Sequence, residues 1–120
     1  MNTVVLGASA NTERYSNKAV KSLIQHGHQV YPVGNSRGDI DGLPILNDFP
    51  LLTDIDTVTL YLNPSRQADI MDYVFSLHPR RIIFNPGTEN PIFETKANEM
   101  GIITMEACTL VLLSIGAYEK

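Results

Sequence analysis

The loop after the first apolar run has the residue types that bind a phosphate group. Gly7 directly follows the run Thr3–Leu6, and the small residues Ala8 and Ser9 come next. A glycine lets the backbone approach an anion closely, and the N–H groups that open the following helix attract negative charge. The dinucleotide motif G-x-G-x-x-G is not met, because Ser9 and Thr12 occupy its second and third glycine positions. A turn glycine that opens an ordinary strand-to-helix crossover fits the pattern equally well.

The end of the second apolar run favours a ligand with a phosphorylated ribose. NAD enzymes place an acid here to accept a hydrogen bond from the ribose 2′-hydroxyl. This chain instead reads Val33-Gly34-Asn35-Ser36-Arg37, with no acid before Asp39. A guanidinium pairs with phosphate through charge-assisted hydrogen bonds, so Arg37 suits the 2′-phosphate of NADP or the 3′-phosphate of coenzyme A. The alternative is that Arg37 is a solvated turn residue.

The spacing of apolar residues predicts strands that alternate with helices. Strands are predicted at Thr3–Leu6, Gln29–Val33, Thr57–Leu62, Arg81–Phe84 and Ile102–Met105. Helices are predicted after a cap at Ser16 or Asn17, from Asn63–Pro64 to Leu77, from Asn90–Pro91 to Met100, and over Thr109–Ile115. The fold class expected from this alternation is α/β: a Rossmann-like, doubly wound, five-stranded parallel sheet in the order 3-2-1-4-5, with helices on both faces.

This fold would place the candidate ligand residues at one edge of the sheet. Ligands of doubly wound sheets bind at the carboxyl ends of the strands, beside the point where the strand order reverses. The loops 7–15 and 85–89 should therefore form opposite walls of one crevice.

Length and composition predict a single globular domain over residues 1–120. The chain is 43% apolar and 18% charged, and its formal net charge is −4. This charge argues against a nucleic-acid partner, because neutralising phosphates requires a basic surface. No apolar run approaches the roughly 20 residues that span a bilayer, so no membrane association is expected. The single cysteine, Cys108, cannot form an internal disulfide, and we expect a reducing, cytoplasmic location.

Three runs of residues resemble the stand-alone CoA-binding proteins, which are relatives of the N-terminal CoA-binding domain of the succinyl-CoA synthetase α subunit. They are Val4-Val5-Leu6-Gly7-Ala8-Ser9, Arg14-Tyr15-Ser16-Asn17 and Gly27-His28-Gln29-Val30-Tyr31-Pro32-Val33. Asn85-Pro86-Gly87 and Cys108 follow in the same order, so the resemblance covers nearly the whole chain.

The resemblance implies a set of CoA-binding residues. Those residues are Gly7, Ala8 and Ser9 at the pyrophosphate; Arg14, Ser16 and Asn17 at the start of the first helix; Val33, Gly34 and Arg37 beside adenosine and its ribose phosphate; Asn63, Pro64 and Ser65 on the adenine side; and Asn85, Pro86 and Gly87 along the pantetheine arm. Relatives commonly carry Asn at position 34 and Lys or a similar residue at position 36. Because Gly34 and Ser36 stand there, Arg37 is the candidate partner of the 3′-phosphate.

No catalytic constellation and no metal site is predicted. His26, His28 and His78 fall at the amino-terminal edge of the expected sheet, away from the crevice. Cys108 lies near the start of the last helix, where it is either a small packing residue or a thiol able to react with CoA. The second, phosphohistidine-bearing domain of the synthetases is not expected in this chain.

The sequence therefore predicts non-catalytic binding of coenzyme A or an acyl-CoA. The alternatives are an NADP-binding redox protein or sensor, and a regulatory subunit that binds a protein partner. The last helix is apolar on nearly every side, since it carries Leu110, Val111, Leu112, Leu113 and Ile115. Either other segments cover this helix or it is the interface of a homodimer.

Overall fold

Strands and helices alternate along the chain in the computed structural model, which describes residues 1–119. The strands are β1 Thr3–Leu6, β2 Val30–Val33, β3 Asp39–Ile40, β4 Leu43–Pro44, β5 Thr57–Leu60, β6 Arg81–Phe84 and β7 Ile103–Glu106. The α-helices are α1 Tyr15–Gln25, α2 Met71–Ser76, α3 Pro91–Glu99 and α4 Thr109–Ser114, and a 3₁₀ helix spans Pro64–Arg66.

Five of the strands form one parallel sheet in the order β2-β1-β5-β6-β7. Every residue of β1, β5 and β6 is buried, because helices cover both faces of a parallel sheet. Val20 of α1 and Leu113 of α4 belong to the core on one face, whereas Val74 of α2 and Phe93 of α3 belong to the core on the other. The predicted fold class, a Rossmann-like α/β domain, is confirmed.

The identity of the third strand needs a correction. The predicted third strand, Thr57–Leu62, was expected beside β2, but β5 pairs directly with β1. A shorter segment occupies the outer edge of β2, where Leu46 forms a parallel bridge with Val33. The Leu46 N–H donates to the Pro32 carbonyl at 2.8 Å, and its own carbonyl accepts from the Gly34 N–H at 3.2 Å. If the Leu46 segment is counted as strand 3, β5 and β6 become strands 4 and 5, and the order is 3-2-1-4-5 with β7 as one further strand. The strand order then reverses between β1 and β5.

The predicted continuous helix over Asn63–Leu77 is wrong: the segment contains the 3₁₀ helix, a turn and then α2. The cause is Gln67, whose side chain is buried where the helix would have continued. Its Nε2 donates to the carbonyls of Leu62 at 2.8 Å and Thr88 at 2.7 Å. Its Oε1 accepts from Asn90 at 3.1 Å. Gln67 thus ties the loop after β5 to the loop after β6.

The last helix is only partly covered. Leu113 is buried and Leu112 is half-buried, since both pack on the face that α1 covers, whereas Val111 and Ile115 are exposed. The homodimer stays a prediction. Within residues 1–119, no helix combines the length and the apolar character needed to cross a bilayer.

Candidate functional site

A cleft of about 1070 Å³ opens at the carboxyl ends of β1, β2, β5 and β6. Its lining residues are Leu6, Gly7, Ala8, Ser9, Glu13, Arg14, Tyr15 and Ser16 after β1; Gly34, Asn35, Ser36 and Phe49 after β2; Tyr61, Leu62, Asn63, Ser65, Arg66, Asp69, Ile70 and Tyr73 after β5; and Pro86, Gly87 and Thr88 after β6. The cleft lies at the reversal of the strand order, where doubly wound sheets bind their ligands.

Two glycines let the loops after β1, β2 and β5 approach one another at the base of the cleft. Gly7 has φ +92°, and a Cβ on it would lie 3.1 Å from Leu62 Cγ and 3.1 Å from the Tyr61 carbonyl carbon. A Cβ on Gly34 would lie 3.0 Å from the Ala8 carbonyl oxygen. Any larger residue would therefore push these loops apart, and only glycine adopts the backbone conformation of Gly7 without strain.

The β1–α1 loop is fixed by hydrogen bonds within the fold. The N–H groups of Gly7 and Ala8 both donate to the Val33 carbonyl, at 2.9 and 3.1 Å. Buried Asn17 donates from Nδ2 to the Ser9 carbonyl at 2.9 Å. The first two amides of the loop are thus engaged in holding β1 against the end of β2, whereas the Ser9 N–H has no acceptor among residues 1–119.

The N-terminus of α1 opens on the cleft without a cap. The helix begins at Tyr15, so its N-cap is Arg14 and not Ser16 or Asn17, and no side chain caps it. The first backbone bond into the helix comes from Lys18, which donates to the Arg14 carbonyl at 3.2 Å. The N–H groups of Tyr15, Ser16 and Asn17 have no acceptor within residues 1–119, as expected for an uncapped first turn. An anion bound here would meet the positive end of the helix dipole.

Among residues 1–119, two cations and two acids line the cleft. Arg14 comes from the β1–α1 loop and Arg66 from the 3₁₀ helix after β5, while Glu13 and Asp69 are the acids. Arg37, the candidate partner of a ribose phosphate, is exposed and is not among the lining residues. Arginines from two separate segments can therefore approach an anion in the cleft.

One side of the cleft is apolar, and we call it the apolar end: Phe49, Leu62, Ile70 and Tyr73. The rings of Phe49 and Tyr73 meet edge to face, with centroids 5.4 Å apart and an interplanar angle of 86°. The Tyr73 hydroxyl donates to the Pro50 carbonyl at 2.7 Å. Burial raises the pKa of Tyr73 to about 12. The hydroxyl therefore stays protonated at neutral pH and keeps its hydrogen bond to the Pro50 carbonyl.

The side chain of Asn85 makes hydrogen bonds inside the fold and does not line the cleft. Its Nδ2 donates to Thr59 Oγ1 at 2.6 Å and to the Leu60 carbonyl at 2.8 Å. Its Oδ1 accepts from the Thr109 N–H, at the start of α4, at 2.9 Å. All three bonds are buried, so Asn85 joins β5, β6 and α4 beneath the cleft.

Replacing Asn85 by alanine is expected to lower the free energy of unfolding by about 2–3 kcal/mol, because buried donors and acceptors lose their partners. Urea unfolding followed by circular dichroism measures this change. The matched variant Asn35→Ala removes an exposed amide and should change stability by less than about 0.5 kcal/mol. Equal losses in the two variants would show that the Asn85 network does not stabilise the fold.

The structure brings most of the predicted site residues to the cleft. Lining it are Gly7, Ala8, Ser9, Arg14, Ser16, Gly34, Asn63, Ser65, Pro86 and Gly87. Not among the lining residues are Asn17, Val33, Arg37, Pro64 and Asn85. The cleft also receives residues that the sequence did not indicate, above all Arg66 and Asp69 and the apolar end. Arg66 follows the predicted Asn63-Pro64-Ser65 directly and Asp69 comes three residues later, and this proximity is the one signal that could have found them.

Residues with other chemistry lie elsewhere. No histidine and no cysteine lines the cleft within the described part of the chain. In residues 1–119, the side chains of His, Cys, Asp and Glu form no group of three or more that could share a metal ion.

A family model described as "CoA binding domain" matches residues 1–114. A crystal structure of a protein called only "uncharacterized protein" is 46% identical, with a TM-score of 0.95 over 97% of this chain and 96% of that one. A hypothetical protein from Pyrococcus horikoshii OT3 is 26% identical, with a TM-score of 0.79 over 92% and 79% of the two chains. A Thermus thermophilus protein, at 22% identity, has a TM-score of 0.83 over 97% and 90% and shows the fold alone.

No protein among those with a curated description matches the chain significantly. The family match confirms the resemblance carried by the glycine loop and the Gly27–Val33 run, and it extends over the strands that form the cleft. This chain belongs to the CoA-binding domain family.

Proposed function

We propose that this chain binds coenzyme A or an acyl-CoA in the cleft and does not transform it. The observation that carries the proposal is the uncapped N-terminus of α1, which opens beside Arg14 on a cleft at the reversal of the strand order. Unpaired N–H groups at a helix start are a ready anion site. The family match supports CoA as the anion.

The residues of the cleft fit the parts of coenzyme A. The diphosphate suits the free N–H groups of Tyr15 and Ser16 together with Arg14, since these supply donors and positive charge at one place. Arg66 supplies a second cation from the other side of the cleft. The apolar end suits the flat base, because its walls are aromatic and aliphatic. The pantetheine arm would leave along Pro86 and Gly87.

The side chains of the cleft support binding more than catalysis. Phosphates are held by the helix start and the arginines, whereas the histidines and Cys108 of this chain are not among the lining residues. Proton transfer by a histidine, or covalent chemistry at a cysteine, needs that side chain within hydrogen-bond reach of the reacting atom. We therefore propose that this chain holds the cofactor for recognition or delivery.

Titration calorimetry tests this proposal with CoA, dephospho-CoA and NADPH. We expect CoA to bind with a dissociation constant on the order of micromolar. Dephospho-CoA should bind roughly tenfold more weakly, because it carries one phosphate fewer to be attracted by Arg14 and Arg66. Replacing Arg14 by glutamine should weaken CoA binding by roughly tenfold for the same reason.

The control for Arg14→Gln is Lys21→Gln, which removes the same charge from α1 two turns away from its open end. This control should leave the affinity for CoA nearly unchanged. Absence of CoA binding, or NADPH binding more tightly than CoA, would overturn the proposal in favour of the NADP-binding alternative or of a protein partner.

A further inference from the structure

Two carboxylates, Glu13 and Asp69, line a cleft whose other features attract anions, and Asp69 is the one next to the apolar end along the chain. The open start of α1, Arg14 and Arg66 all favour negative charge, yet Asp69 lines the same cleft. A carboxylate that faced a phosphate at contact distance would repel it, because both groups are negatively charged. The exposed carboxylate of Asp69 would favour an anionic ligand where it meets a hydrogen-bond donor of that ligand.

The backbone around Asp69 is held firmly in place. The Arg66 N–H donates to the Asn63 carbonyl at 3.0 Å, and the Ile70 N–H donates to the Gln67 carbonyl at 3.1 Å. Gln67 itself is fully buried and bonded at both ends of its side-chain amide. Asp69 therefore lies two residues after the anchored Gln67 and directly before Ile70, which belongs to the apolar end.

The surroundings of Asp69 suit the edge of a flat ring. Ile70 and Tyr73 of the apolar end follow Asp69 along the chain at one and four residues, and the three line the cleft together. Asn63 and Ser65 add polar groups to the same side, where the Ser65 hydroxyl donates to Asn63 Oδ1. Because that bond engages Oδ1 of Asn63, the NH₂ group of the same amide remains to donate to a ligand, whereas the carboxylate of Asp69 can only accept. Such an edge matches a base with both a donor and an acceptor, as adenine has.

We propose that Asp69 determines base specificity: its carboxylate accepts a hydrogen bond from the exocyclic amino group of adenine and rejects purines with an oxygen at that position. This inference rests on the proposed function, because it assigns one part of the cleft to the base of coenzyme A. An oxygen in place of the amino group would face the carboxylate acceptor with a second acceptor, which leaves both unsatisfied.

The test compares CoA with the CoA analogue whose adenine is replaced by hypoxanthine, by calorimetry on the wild-type chain and two variants. The wild-type chain should bind CoA roughly tenfold more tightly than the hypoxanthine analogue, as expected for a hydrogen bond to a charged group. In Asp69→Asn the two ligands should bind within about threefold of each other, because the amide can donate to the oxygen. Asp72→Asn is the matched control, since it removes an exposed charge of the same segment outside the cleft.

Each pattern of results has one meaning. Selectivity that is lost in Asp69→Asn and kept in Asp72→Asn supports the inference. A wild-type chain that binds both ligands equally overturns it while leaving the proposed function intact. A gain of affinity for both ligands in Asp69→Asn would show that Asp69 merely repels the phosphates, which also overturns it. A wild-type chain that binds neither ligand overturns the proposed function and this inference together.

Discussion

Replacing Phe93 by alanine is expected to lower the free energy of unfolding by about 3–5 kcal/mol, the usual cost of deleting a buried aromatic ring. Phe93 is fully buried on the inner side of α3. Its ring lies edge to face with Phe75 at 5.5 Å and with Phe84 at 5.3 Å between centroids. Because α2, α3 and β6 each supply one of these rings, the cavity left by the substitution cannot close without moving two elements. Guanidinium unfolding followed by circular dichroism measures the loss.

The neighbouring residue provides the control for Phe93→Ala. Ile92 belongs to the same helix but is 66% exposed, so Ile92→Ala removes apolar side chain that faces solvent rather than the core. Its effect on stability should stay within about 0.5 kcal/mol. Similar losses for both substitutions would show that α3 is not packed through Phe93.

The parts of the fold that depend on neighbouring residues could be predicted from the sequence. The boundaries of β1 and β6 match the predicted runs residue for residue. The start of α3 matches as well, since Asn90 accepts a hydrogen bond from the Phe93 N–H at 3.2 Å and Pro91 is the first helical residue. These features are set by β-branched residues, capping side chains and proline within a few positions along the chain.

The parts that depend on distant residues could not be predicted. The sequence predicts a short extended piece at Pro44–Leu46, but no local pattern indicates that Leu46 pairs with the edge of β2. The helix predicted after Asn63 is interrupted because Gln67 bonds to Thr88, a partner 21 positions away. Phe49 reaches the apolar end with φ +48°, a left-handed conformation that its residue type does not suggest. In each case a tertiary contact outweighs the local preference.

The same division applies to the candidate site. The loop after β1 and the location of the cleft follow from the order of the elements, and Gly7 and Arg14 line the cleft, while their contact with a ligand stays a prediction. The direction of a side chain beyond the end of a strand depends on what packs there. Asn85 was predicted to border the ligand, but its amide turns into the sheet toward Thr59. Arg37 is exposed and is not among the lining residues, so its contact with a phosphate stays a prediction.

Replacing Tyr15 by glutamate is expected to weaken CoA binding at least tenfold, and up to roughly a hundredfold, while it stabilises the free protein. Tyr15 is the first residue of α1, lines the cleft and is 69% exposed, so a carboxylate is tolerated there. Negative charge in the first turn of a helix contributes about 0.3–1 kcal/mol of stability at low salt. The same charge would occupy the place of the diphosphate and repel it.

The matched variant for Tyr15→Glu is Tyr15→Gln, which has nearly the same shape as the glutamate variant and no charge. The Gln variant should lose only the contribution of the ring to binding, so the difference between the two variants isolates the electrostatic part. This difference should shrink as ionic strength rises, because position 15 is exposed and salt weakens the repulsion between solvent-exposed charges. Calorimetry with CoA at two salt concentrations, together with thermal unfolding of the free variants, measures both effects. If the Glu and Gln variants bound CoA equally, the phosphates of the ligand would have to lie away from the start of α1, because a charge placed among them could not leave their binding unchanged.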